Sequence, residues 1–109
     1  MLLTTKELNA PGLITAFDSI LDNVFVTGDT LNDVTDFIVY RNSAASGKKV
    51  VQASSIPGDT ELFCGFTQGG KDKIDCPDGI YVDWTGVGAP VVIVHYKEKR
   101  YMRRNPELD

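Results

Sequence analysis

The segment GIYVDWTGVGAPVVIVHYK, residues 79–97, constrains this chain more than any other. Ile80, Val82 and Trp84 fall on one parity and Tyr81 and Asp83 on the other, so the first half reads as a half-buried strand. Beyond TGVGAP, Val92, Val94 and Tyr96 form one set and Val91, Ile93 and His95 the opposite one. Both sets begin apolar, which predicts a strand covered on both sides over at least half its length. Such a strand lies centrally in a sheet, or between the core and a partner molecule. Pro90 fits only at the strand's start, where its missing N–H removes no ladder bond. Gly86 and Gly88 suit a turn that needs positive φ, so the segment is predicted to be a hairpin.

The text upstream follows the same grammar. DVTDFIVYRN alternates, with Phe37 and Val39 on one side and Ile38 and Tyr40 on the other. SAASG is a small-residue turn, and KKVVQASSI resumes the sheet. GDTELFCGFT follows a Pro-Gly break with Leu62, Cys64 and Phe66 on one face, and QGGKDKIDCPDG reads as a loop. A strand is predicted at 23–27, and 13–20 as strand or turn. Short strands punctuated by Gly, Pro, Asn and Asp indicate an all-β chain, a small antiparallel β-sandwich or jelly-roll-like barrel. Helix-period segments long enough for parallel crossovers are missing from the text.

A chain of 109 residues supports one core, and a 42% hydrophobic fraction is ordinary for a globular domain. The expected organisation is an N-terminal arm over 1–12, ended by Pro11-Gly12, a β-sandwich domain over 13–98, and a basic tail over 99–109. No apolar run reaches the ~20 residues of a bilayer span, and MLLTTKELNAPGLITAF lacks the layout of a signal peptide. No membrane partner is therefore expected. The net charge of -4 speaks against general nucleic-acid binding. The charge is uneven, however. Glu7, Asp18, Asp22, Asp29, Asp33 and Asp36 lie in the front third, while Lys97, Lys99, Arg100, Arg103 and Arg104 crowd the end. These ends could attract each other between neighbouring copies, or be solvated.

Catalytic equipment is sparse. The single His95 would have to meet Cys64 or one of Ser43, Ser46, Ser54 and Ser55, and no nucleophile motif surrounds these. Asp72, Asp75, Asp78 and Asp83 lack calcium-loop spacing, and Lys71 and Lys73 among them suit a solvated loop better than a raised carboxyl pKa. SAASGKK lacks the spacer of a phosphate-binding loop. Cys64 and Cys76 are too few for a zinc site and are expected reduced. No enzyme, cofactor or metal is expected. Trp84, Tyr81 or Tyr101 could stack on a sugar ring if exposed, although the parity of Trp84 favours burial. HYKEKRYMRRNP could meet single-stranded nucleic acid, but docking on an acidic protein surface explains the same residues.

The stretch from Phe37 to Tyr96 resembles small β-rich structural proteins of tailed bacteriophages. The matching residues are Ile38, Tyr40, Asn42, Ala44, Ser46, Gly47 and Lys48, then Gly79, Ile80, Tyr81, Val82, Gly86, Gly88, Val92, Val94 and Tyr96. Val87 departs from the threonine usual there. The resemblance implies a virion component without enzymatic activity: a capsid decoration or cement protein lying across major capsid protein subunits on the capsid exterior. A tail, head–tail joining or fibre-associated role is the alternative. It also implies self-association as a homodimer or homotrimer. Candidate contact residues are Leu2, Leu3, Leu8 and Leu13 in the front segment and Lys99, Arg100, Tyr101, Met102, Arg103 and Arg104 in the tail. The leucines could equally fold back on their own domain.

Overall fold

A computed structural model describes residues 3–29, 31–65 and 74–102, with side chains as far as Arg100. Among the described residues, nine strands and one helical turn are formed: β1 (Thr4–Leu8), β2 (Gly12–Thr15), β3 (Ser19–Thr27), β4 (Val34–Tyr40), β5 (Lys49–Ile56), β6 (Glu61–Gly65), β7 (Ile74–Cys76), β8 (Ile80–Thr85), β9 (Val91–Glu98) and α1 (Lys99–Met102). They build two antiparallel sheets. One has the order β1-β9-β3-β6, with β7 also on β3, and the other the order β2-β8-β4-β5. The chain is an all-β sandwich, as its alternation predicts.

Period-2 alternation decides what fills the space between the sheets. Leu21, Val24, Val26, Val92, Val94 and Tyr96 face inward from the five-stranded sheet, and Val34, Phe37, Val39, Ile80, Val82 and Trp84 from the other. Phe37 and Trp84 stack with ring centroids 6.3 Å apart, a packed aromatic pair of the kind that anchors small cores. Because β3 must keep this face inward across a change of register between Leu21 and Asn23, Asp22 occupies a bulge opposite β9.

The 79–97 segment differs from its reading as a hairpin. Its two strands do not pair: β8 lies between β2 and β4, whereas β9 lies between β1 and β3 in the opposite sheet. The connection is too long for a two-residue turn and is pinned elsewhere. Gly88 N–H donates to the Asp33 carbonyl at 3.2 Å, and Ala89 N–H to the Asp29 carboxylate at 3.0 Å. With the loop held there, the apolar faces of the two strands meet across the core instead of edge to edge. Gly86 has φ of 94°. Gly88 is needed for a different reason, since a Cβ there would sit 2.7 Å from the Asp33 carbonyl oxygen. The β4–β5 hairpin forms as expected.

The expected N-terminal arm is also corrected. Residues Thr4–Leu8 pair with Tyr96–Val92 as the edge strand β1. TTKEL offers almost no apolar alternation, and only Leu8 packs on the core. Backbone hydrogen bonding to a central strand, which leaves no trace in hydrophobic periodicity, is what recruits it. The 13–20 region resolves into both alternatives, β2 followed by a turn and the start of β3. The presumed 68–79 loop contains the short strand β7. Phe66 lies outside the described residues.

Candidate functional site

The outer face of the five-stranded sheet carries an apolar row. Register places Glu7 opposite Ile93, Ile93 opposite Phe25, and Phe25 opposite Phe63, so one line of side chains crosses β1, β9, β3 and β6. Phe63 is 63% exposed, and its ring lies 6.3 Å from that of Phe25 at 56°. Phe25 and Ile93 are half-buried, and Val91, one pair along, is 38% exposed. The exposed carboxylate residues Glu7 and Glu61 flank the row. An apolar centre with a charged rim is the anatomy of a protein-docking surface. The local cause is legible in VFV and LFC: both parities are apolar, so burying Val24, Val26, Leu62 and Cys64 turns Phe25 and Phe63 outward. Phe25 and Phe63 were not singled out from the sequence as contact residues, although that doubled parity was the available signal.

The candidate nucleophiles and acids are placed apart. His95 lies beside this row, with Nδ1 2.6 Å from the Asn23 Oδ1. Ser54 and Ser55 are on β5 in the opposite sheet, and Ser43 and Ser46 are in the β4–β5 turn, where Asn42 Nδ2 donates to the Ser46 carbonyl at 3.0 Å. Cys64 and Cys76 are both reduced thiols. Cys64 faces Val24 and Cys76 faces Ser19 along one edge of β3, about 15 Å apart at the rise of a strand, far beyond disulfide reach. Burial, opposed in part by the Arg41 charge, pushes the Cys76 thiol up to about 11. Burial also raises that of Cys64. Neither is disposed to form a reactive thiolate.

Asp75 Oδ1 pairs with Lys99 Nζ at 2.5 Å, and Lys99 also reaches Asp18 at 3.4 Å. These contacts, the Asp75 bond first, raise the Lys99 pKa. Asp75 and Asp78 line an open depression of about 440 Å³ with Arg41, Asn42, Gly47, Lys48 and Pro77. Asp83 is elsewhere, opposite Ile38 on the other sheet, and Asp72 lies outside the described residues. Among the described residues, no group of three or more His, Cys, Asp or Glu side chains is gathered that could hold a metal ion. Trp84 is only 7% exposed and cannot serve as a sugar-stacking platform. Tyr81 is half-buried.

The terminal contact candidates divide. Leu3, just before β1, and Leu13, on β2 of the other sheet, are exposed at 45% and 39%, while Leu8 packs on the core. Lys99 and Arg100 turn back on their own domain. Arg100 Nε donates to Glu98 Oε1 at 3.1 Å, and its guanidinium lies 3.7 Å from the centre of the Phe17 ring. Tyr101 and Met102 complete the helical turn, with their side chains outside the description. Leu2, Arg103 and Arg104 lie outside the described residues. No protein-family model, no curated protein and no solved structure matches the chain.

Proposed function

We propose that this chain is a non-enzymatic assembly protein that docks on a larger protein surface through the outer face of its five-stranded sheet. The observation that carries this reading is the Glu7–Ile93–Phe25–Phe63 row, with Phe63 largely exposed at its end. Full burial of a phenylalanine side chain contributes about 1.5–3 kcal/mol. One copy therefore binds weakly, and many copies on a repeating surface act together through effective concentration. With the resemblance of the 37–96 region, the preferred partner is the major capsid protein of a tailed phage, and the role is decoration of the head. A compact sandwich of two antiparallel sheets suits a clamp across subunit joints.

The test is co-sedimentation of the purified chain with expanded, empty shells of a tailed-phage major capsid protein, together with the melting temperature of those shells. Binding and a raised melting temperature are expected, and Phe63→Ser should abolish both while the domain remains folded. Equal binding by Phe63→Ser removes the docking face. Absence of shell binding, with recovery in tail fractions, moves the role to the tail.

A further inference from the structure

The two sheets end in edges of unequal character. β1 carries Lys6 and Glu7, β2 is four residues long with a register shift, and β6 begins at Glu61. β5 is eight residues long, pairs with β4 alone among the described strands, and contains neither a charge nor a proline from Val50 to Ile56. Edge strands are ordinarily protected by charge, proline, bulges or shortness, because their unpaired N–H and C=O groups template further pairing. β5 carries one such device, the extra residue Val50 between the pairs that Lys49 and Val51 make with β4, and from Val51 to Ile56 it carries none.

We infer that β5 is the interface with a second copy of this chain, the two strands pairing antiparallel about a twofold axis at Gln52 so that the four-stranded sheets become continuous. The strand is complementary to itself in that orientation. Centring on Gln52 sets Val51 against Ala53, both of which lie opposite inward-facing residues of β4 and so share a face. The two Gln52 amides oppose each other, and each can donate and accept.

The charges select the antiparallel arrangement and a like partner. Lys48 and Lys49 stand at the start of the strand, while Asp59 follows its end. Antiparallel pairing brings the lysines of each copy towards the acidic end of the other, whereas parallel pairing sets Lys49 against Lys49, which is unfavourable. Pro57 limits the ladder just past Ile56. The result is an isologous dimer. It uses an edge of one sheet and leaves the apolar row on the other sheet exposed for docking, so it stands whether or not that face binds a shell.

Sedimentation equilibrium of the full chain tests it. The expected result is a reversible dimer. Gln52→Lys and Gln52→Glu each place like charges across the axis and should weaken the dimer about tenfold or more. An equimolar mixture of the two variants should restore it. Gln52 is exposed, so circular dichroism of both variants should match the parent. Phe63→Ser should dimerise normally. A chain that stays monomeric at its highest soluble concentration overturns the inference, as does a dimer that neither variant weakens.

Discussion

The Thr15 hydroxyl donates to Glu98 Oε2 at 2.5 Å, joining two buried side chains that are 83 residues apart in sequence. Thr15 ends β2 in one sheet and Glu98 ends β9 in the other, so the bond closes one end of the sandwich. Phe17 N–H also donates to the Thr15 hydroxyl at 3.2 Å, and Arg100 covers the other carboxylate oxygen at 3.1 Å. A buried carboxylate is tolerated here because its oxygens have partners.

Thr15→Val keeps the shape and removes the donor. It should destabilise the fold by about 1–3 kcal/mol, the cost of leaving a buried acceptor unsatisfied. Urea unfolding of the parent and the variant measures this as a lower midpoint at unchanged slope.

At the opposite end, Asp29 joins three loops. Its carboxylate accepts from Leu31 N–H and Ala89 N–H, and its carbonyl accepts from Asp59 N–H. The bond from Leu31, then that from Ala89, lowers its pKa below the ordinary 3.8. A depressed folded pKa contributes stability that is present above 3.8 and is lost as pH falls through the folded value. Asp29→Asn should therefore melt lower than the parent at neutral pH. The difference should shrink as pH falls below 3.8, because a protonated aspartic acid approaches asparagine in charge. Melting curves across the acid range check the convergence.

Gly79 has φ of 105°, and a Cβ there would collide with the Thr15 carbonyl oxygen and lie 3.1 Å from Ala16 Cα. Gly79→Ala should cost at least about 1–3 kcal/mol from the backbone conformation alone, with the collision added. Thermal unfolding measures it. An unchanged melting temperature would contradict the tight approach of β8 to the turn after β2.

The two phenylalanines Phe37 and Phe63 should separate stability from binding. Phe37 is fully buried against Trp84, and Phe37→Ala should cost about 3–5 kcal/mol. Phe63→Ser, at a largely exposed site, should change stability by only about 0.5 kcal/mol. Denaturant titration of the two variants compares them directly.

A thiol-specific reagent near neutral pH should label Cys76 only as fast as the protein opens. The residue is buried, and its thiol is pushed up to about 11. Denaturant should release both Cys64 and Cys76 to fast labelling, and mild oxidation of the native chain should form no bond between them.

Alternation by itself determined the inner face of β8, the burial of Trp84, the β4–β5 hairpin and the all-β class, while for β4 and β9 it gave two opposing sets without choosing between them. These depend on a period of two along one strand, which is local information. Pairing depends on which strands meet, and the hydrophobic pattern does not encode that. The tertiary structure alone decided that β8 and β9 separate into opposite sheets, that TTKEL is an edge strand, and that Phe25 meets Phe63. Asp29 and Asp33 hold the 86–90 connection to the far side of the sandwich, and a hydrogen bond between distant loops leaves no periodic signal in the chain that makes it.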